Sequence, residues 1–411
     1  MSKPTPVHAD MDQFDTLDNQ ILVGGKKLDV IEGMLDKSVF YAYDKKVVKA
    51  QIDKFHRAIP QAIKLHYAIK ANPYPALVNA MCEWVEGFDV ASQKEMLIAL
   101  QSNMPVKDIS FAGPAKQESE IKAAICAGVT LHVESELELS RAIDIGQQLG
   151  ILPIVAFRVN PAFELKASGM KMGGGPKQFG IDEERLFEML PELDYTKMHF
   201  RGFHIFWGSQ NLKQDAIIDA HNNTFELAQR LVYATPVTVE TINLGGGFGI
   251  PYFPGETRLD LAPIGDNLAT LLSSYPKLAQ LELIIELGRF IVAEAGIYVS
   301  KITDIKVSRG HTYLMTNGGL HHHLSNSGNF GQVIRKNYPV AIGNKMNLDK
   351  GTEAVTAVGP LCTPLDTLAD KMYLTDPQIG DWLVVFQSGA YGPTASPQDF
   401  LGHPHVAEIL L

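Results

Sequence analysis

The sequence predicts a (β/α)8 barrel followed by a second, all-β domain. Three observations carry this. Short apolar runs alternate with helix-like segments from residue 64 onward. The runs number eight over about 220 residues, the usual size of such a barrel. After residue 290 the texture turns β-branched and aromatic, with Gly and Pro as punctuation.

The chain begins with an extended arm over residues 1–37, with a strand near 20–23, and residues 39–43 alternate into a helix over 45–58. The barrel runs are 65–69, 88–91, 109–112, 131–134, 154–159, 200–206, 242–244 and 283–286, each the length of a buried strand. Helical spacing fills 75–85, 94–101, 118–127, 136–149, 214–233 and 262–274. A doubly wound open sheet is the structural rival. The count of eight, and the lack of Gly-x-Gly-x-x-Gly after the first strand, favour the barrel. Beyond it, 299–307, 312–316, 354–358 and 382–386 read as strands. The expected division is an arm, 1–40, that joins the β domain, a barrel over 41–290, and the β domain over 291–411.

Of 411 residues, 45% are hydrophobic and 20% charged, the balance of a globular chain. A net charge of −10 argues against nucleic acid or an anionic membrane as the main partner. Three cysteines, Cys82, Cys126 and Cys362, are too few and too odd for a disulfide scaffold and fit a reducing compartment. The N-terminus is polar, with no apolar leader, and no stretch approaches about 20 apolar residues. A cytoplasmic protein is expected.

Catalytic residues in such barrels lie at the C-terminal ends of the strands. Those ends hold Lys70, Asp89, Arg158, His204, Ser209, Gly245-Gly246-Gly247 and Glu286-Leu287-Gly288-Arg289. Lys70 closes a buried run. Loss of water around its ammonium is expected there, leaving a free amine able to take an aldehyde. The glycine triplet exposes backbone N–H groups to an anion, with Ser209 as a hydroxyl donor and Arg289 as a cation. A second triplet, Gly173-Gly174-Gly175, sits in a long loop beside Lys171 and Lys177 and reads as a mobile flap. Amine, anion cradle and carboxylate together suggest pyridoxal phosphate, with Glu286 facing the pyridine nitrogen.

The stretches Tyr67-Ala68-Ile69-Lys70-Ala71-Asn72, Phe88-Asp89-Val90-Ala91-Ser92, Arg158-Val159-Asn160-Pro161, Gly208-Ser209-Gln210, Asn243-Leu244-Gly245-Gly246-Gly247-Phe248-Gly249-Ile250, Glu286-Leu287-Gly288-Arg289 and Gly389-Ala390-Tyr391 run in one order over nearly the whole chain. In this the chain resembles the fold-type III pyridoxal-phosphate decarboxylases, the family of the ornithine, arginine and diaminopimelate decarboxylases. The resemblance implies that Lys70 holds the cofactor and Glu286 pairs with its ring nitrogen. Ser209, Gly246, Gly247, Arg289 and Tyr391 surround the phosphate; Asp89, Arg158, His204, Phe206 and Gly288 complete the cofactor site. It further implies a head-to-tail homodimer in which Cys362, within Gly359-Pro360-Leu361-Cys362, is the catalytic acid and comes from the other copy. Arg335, Tyr338 and Thr363 are candidate substrate contacts, with Arg289 and Tyr391 shared between substrate and cofactor. Cys82 and Cys126 fall in helical patterns and read as core.

Two departures stand out. The aromatic three residues before the Gly-Ser serine is usually a histidine in the family; here it is Phe206, which can stack but cannot hydrogen-bond. After the catalytic cysteine the ornithine and diaminopimelate enzymes carry an acid for the substrate's distal amine; here Thr363 stands, and Asp366 has the wrong spacing. Losing that partner of a buried ammonium is costly for a cationic substrate. With Asn317-Gly318-Gly319-Leu320-His321-His322-His323 and Ser327-Gly328-Asn329-Phe330, the chain is similar to the subgroup of the butirosin-pathway and exosortase-associated decarboxylases. That similarity implies a substrate conjugated at its far end, on an acyl carrier protein or in a siderophore-like intermediate. The histidine run lacks partners at ligand spacing, and no metal is expected. Diaminopimelate decarboxylation, a two-domain racemase, a non-catalytic cofactor-binding protein and an inactive regulatory homologue are the rival readings. A racemase of that build would carry arginine, not Glu286, at the ring nitrogen.

Overall fold

The computed structural model describes residues 7–163, 170–171, 173–327 and 336–411, with only the backbone of 170 and 171. The chain forms two compact units. One comprises residues 52–249 and 259–288; the other comprises 1–51, 250–258 and 289–411.

The first unit is a closed barrel of eight parallel strands. In order they are Ile63–Ala68, Gly87–Val90, Ile109–Phe111, Thr130–Val133, Ile154–Asn160, His199–Ile205, Thr241–Gly246 and Glu282–Leu287. Each pairs with the next, and the eighth returns to the first. Each expected run lies on one of these strands, and the six expected helices form as well. Capping explains several helix starts. The Ser92 and Ser135 side chains accept from the N–H groups of Glu95 and Glu138, and Gln117 and Glu120 close a capping box. A helix over Glu183–Met189 was not legible in the sequence, because seven residues are too few to display a 3.6-residue period.

Strand alternation divides the barrel residues between two environments. One set is apolar and buried: Leu65, Tyr67, Phe88, Val90, Phe111, Leu131, Val133, Phe157, Phe203, Ile242 and Ile285. The alternate set is buried but polar: His66, Asp89, Ser110, His132, Arg158, His204, Asn243 and Glu286. Parallel register brings this second set level. Glu286 lies opposite His66, Asp89 opposite Ser110, and His204 opposite both Arg158 and Asn243.

The second unit is built on one eight-stranded sheet. The long strand Gly296–Ser308 pairs with Phe40–Tyr43, Trp382–Val385 and His311–Thr316 at successive points along its length. Ala407–Leu410 adds to Phe40–Tyr43 in parallel. Phe14, Ile21, Val23, Leu28 and Ile31 share a core with Phe40, Val299, Trp382 and Val384. The arm is more structured than the extended reading: three short strands, Thr16–Leu17, Gln20–Val23 and Lys26–Lys27, lead into a helix over Leu28–Leu35. The dividing point expected at residue 40 also lies elsewhere. Phe40–Tyr43 is held by backbone pairing to Gly296–Val299, so the chain leaves this unit near residue 51, within the helix Lys45–Ala58. Among the described residues, no helix is long and apolar enough to cross a membrane.

In the barrel unit, Gly265 of the helix Ala262–Ser274 sets its bare Cα against the carbonyl of Ala58, where an added Cβ would overlap backbone. Gly265→Val should therefore destabilise the protein by about 1–3 kcal/mol, the usual cost of overpacking. The check is a lowered thermal midpoint; an unchanged one would show that the two helices have room to part.

Candidate active site

Lys70 occupies a single 3-10 turn, Ile69–Ala71, directly after the first barrel strand. Gly288 makes this placement compatible with the end of the eighth strand. A side chain there would press on Ala71 Cβ and the Ala68 carbonyl, at 2.8 and 3.0 Å. With that space kept, Lys70 Nζ stands 3.6 Å from Glu286 Oε1 and 5.6 Å from the centre of the Phe206 ring. The expected desolvation of the lysine is not what the structure shows. Its side chain is 42% exposed, whereas Glu286 is 5% exposed. The reason is the turn, which carries Lys70 past the strand end to the barrel mouth.

Glu286 is the centre of a buried electrostatic cluster. Burial pushes its carboxyl upward and the charge of Asp89 adds to this; Lys70, Arg158 and His66 pull the other way, and the net direction is upward. Its second oxygen, Oε2, lies 3.4 Å from His204 Nε2 with no hydrogen bond closed between them. His204 Nδ1 is 2.9 Å from His132 Nδ1. Burial brings the His132 imidazole down to about 3 against the opposing pull of Asp89, and takes His204 well below its ordinary value. Asp89 accepts from the Ser110 hydroxyl and sits 3.5 Å from His66 Nδ1. Burial raises the Asp89 carboxyl, but His66, His132 and Ser110 outweigh it and the net direction is downward. Arg158 donates to Glu134 at 2.9 Å and lies over the rings of Phe179 and Phe206 at 4.9 and 5.8 Å.

Around Phe206 the anion-binding candidates gather. A Cβ on Gly245 would meet the Phe206 ring, so the triplet and Lys70 pack on the same phenyl group. Gly246 lies opposite Glu286 in the strand ladder, with no room for a Cβ beside the Glu286 carbonyl. Gly247 has φ +79°, a left-handed conformation that favours glycine, and its carbonyl accepts from the Asn211 N–H at 2.9 Å. Ser209 is half-buried, in the short strand Gly208–Ser209. The second triplet is tied at two points: Asn160 Nδ2 donates to the Gly175 carbonyl, and the Gly174 N–H to that of Pro161.

The remaining candidates belong to the second unit. Arg289 opens the short helix Arg289–Val292, donates to the Tyr252 hydroxyl at 3.1 Å, and lies over the Tyr391 ring at 4.6 Å. Tyr391 has φ +53°, a backbone conformation that non-glycine residues adopt rarely. Tyr338 is buried against Tyr252, ring centres 4.5 Å apart. Cys362 is exposed and Thr363 half-buried, in a loop tied by one carboxylate: Asp366 accepts from the Leu320 and Leu361 N–H groups at 2.6 and 2.7 Å. Arg335 lies outside the described residues. The histidine run is buried: His321 stacks near His322 and His403, while His323 contacts the Ser388 hydroxyl. No group of three or more potential ligands able to hold a metal occurs among the described residues.

Sequence reading overlooked His66, His132 and Glu134. The signal was present: each is a polar residue within or closing an otherwise apolar run, on the alternate face of its strand.

A barrel whose mouth presents an amine beside a buried, incompletely satisfied carboxylate, with a glycine-lined ledge nearby, is the donor set of an enzyme that holds an aldehyde cofactor. Pyridoxal phosphate fits it: an amine for the aldehyde, a carboxylate for the ring nitrogen and open backbone for the phosphate. The family model for the pyridoxal-binding domain of pyridoxal-dependent decarboxylases matches residues 45–293. L-glutamyl-[BtrI acyl-carrier protein] decarboxylase of Niallia circulans is 35% identical, over 90% of this chain and 88% of its own. The 2-[(L-alanin-3-ylcarbamoyl)methyl]-2-hydroxybutanedioate decarboxylase of Staphylococcus aureus is 31% identical, over 90% and 93%. Diaminopimelate decarboxylase from Methanocaldococcus jannaschii superimposes with TM-score 0.83 at 25% identity, covering 97% of this chain and 92% of the other. The chain belongs to the pyridoxal-dependent decarboxylase family. It is a decarboxylase of amino acids, and pyridoxal phosphate is its cofactor.

Behind the Gly-Ser strand and the triplet, His221 of the helix Gln214–Ala234 packs against Trp207 and Phe248, fully buried and with neither ring nitrogen hydrogen-bonded. Burial lowers its imidazole to about 4. The unfolded chain therefore binds more protons between about pH 6.5 and 4, so stability is full above that window and declines as pH falls through it. The decline due to His221 should reach about 3 kcal/mol. His221→Phe should show a shallower loss of stability from pH 7 to 4.5 in denaturant titrations; an equal loss would refute the assignment.

Proposed function

We propose that this decarboxylase acts on an L-α-amino acid whose far end is conjugated, carrier-borne or amide-linked, rather than on a free diamino acid. One observation carries the reading. In the loop 359–366 the residue after Cys362 is Thr363, and the sole carboxylate, Asp366, spends both oxygens on backbone N–H groups. That loop offers a distal ammonium no free acid, and a site without one discriminates strongly against such a substrate. The names of two relatives support the same class: one acts on a glutamyl group on an acyl carrier protein, the other on an alanine whose C3 bears an amide. An acyl carrier protein is accordingly a candidate partner.

Pyridoxal phosphate, when bound, supplies an aldehyde for an amine and a ring that draws electrons from the bond to the departing carboxylate. Lys70 Nζ is the amine that would hold it. Glu286 would hold a proton at the ring nitrogen, and Phe206 would give the ring an apolar face. Ser209, Gly246 and Gly247 of the barrel unit would take the phosphate. Asp89, Arg158 and His204 fix the charge around Glu286. Cys362 Sγ delivers the proton that replaces carbon dioxide. The chain works as a homodimer in which each Cys362 serves the other copy's barrel.

Lys70→Ala should abolish the visible absorbance of bound cofactor; a retained band would sink that assignment. Cys362→Ala should keep the band and lose about 10²–10⁴-fold in kcat. Mixing the two inactive variants should restore up to about a quarter of wild-type activity if the site is shared across a two-fold pair. No recovery despite subunit exchange would place Cys362 elsewhere.

The substrate class is tested by carbon dioxide release from free diaminopimelate, ornithine and glutamate against carrier-linked glutamate and an amide-linked alanine. Turnover should be confined to the conjugated compounds. Robust turnover of free diaminopimelate or ornithine would overturn the reading of Thr363.

A further inference from the structure

We propose that His132 is a positioning residue: its hydrogen bond to His204 decides which nitrogen of His204 carries the proton, and so the charge that Glu286 presents to the cofactor. This rests on the reading that Glu286 faces the pyridine nitrogen.

Two ring nitrogens 2.9 Å apart must share one proton, because two N–H groups would collide and two lone pairs would repel. Both rings are buried and neutral at ordinary pH. Two arrangements remain. In the first, His132 Nδ1–H donates to His204 Nδ1, so His204 keeps its proton on Nε2, 3.4 Å from Glu286 Oε2. That suits an ionised Glu286. In the second, His204 donates from Nδ1, its bare Nε2 faces Glu286, and only a protonated Glu286 suits it.

Passage from the first to the second is a balanced relay. One proton is taken from solvent at His132 Nε2, the Nδ1 proton of His132 passes to His204 Nδ1, and the Nε2 proton of His204 passes to Glu286 Oε2 once their 3.4 Å separation closes to a hydrogen bond. Both rings end neutral and Glu286 loses its charge. The charged and titratable groups bearing on this chain come from every side. His66 lies on the first strand and Asp89 on the second; Lys116 follows the third, Arg158 is on the fifth, and Lys70 sits at the mouth. The cations Lys70 and Arg158 beside Glu286 favour the first arrangement. The control is one hydrogen bond between strands four and six.

The test uses the full chain loaded with pyridoxal phosphate and labelled with 15N-histidine. His204 should be protonated on Nε2 in the wild type and in His132→Asn, whose amide donates to the same nitrogen, and should lose that preference in His132→Leu. The pH midpoint of the bound cofactor's visible spectrum should move by about one unit or more in His132→Leu and stay near wild type in His132→Asn. A proton on His204 Nδ1 in the wild type would overturn the proposal. So would a folded His132→Leu with an unmoved midpoint. Should the leucine variant not fold, the wild-type tautomer and the asparagine variant decide. In Glu286→Gln, an unmoved spectral titration alongside the expected His204 tautomer overturns the placement of Glu286 and leaves only the His132–His204 hydrogen bond standing.

Discussion

The site depends on one approach, that of the Lys70 amine to the Glu286 carboxylate, and that approach depends on barrel closure. The two residues lie more than two hundred positions apart in sequence. They meet because the eighth strand pairs in parallel with the first, setting Glu286 opposite His66 and Leu287 opposite Tyr67. Gly288 then keeps the strand end tight against the Lys70 turn. Nothing local would bring an amine to a buried acid. Burying an acid costs free energy unless neighbours compensate, and here the compensation comes from around the barrel: Lys70, Arg158 and His66 oppose the burial of Glu286.

Much of this was legible in the sequence. The barrel strands were readable because parallel strands buried on both faces are runs of apolar residues, and the strand-end polar residues stood out against them. The strand-end candidates followed from rules about where barrels carry chemistry. Other features were hidden for physical reasons. His132 and His66 sit within apolar runs; alternation gives their face, but which residues they meet around the barrel is fixed by register between distant strands. The strand Phe40–Tyr43 pairs with Gly296–Val299 and Ala407–Leu410, more than 250 residues downstream, a pairing that local pattern cannot show. The exposure of Lys70 turned on one 3-10 turn, too short to have a signature.

The tie made by Asp366 bears on how substrate choice is written into this family. An acid three residues beyond Thr363 is near enough in sequence to stand in for the missing partner of a distal amine. The fold instead commits it to two backbone N–H groups, so that the same residue type shapes the cysteine loop. Burial pushes that carboxyl upward while the Leu320 and Leu361 N–H groups oppose it, the balance of a structural carboxylate rather than of a free receptor for a cation.

The two-sided sorting of the barrel strands has a consequence for quality control. A slip of one residue in any strand would turn its polar face toward the helices and its apolar face toward the barrel axis. Such a misthreaded chain would lack the constellation that receives the cofactor. Cofactor binding would therefore stabilise only the correctly registered barrel, the one form that presents these residues together.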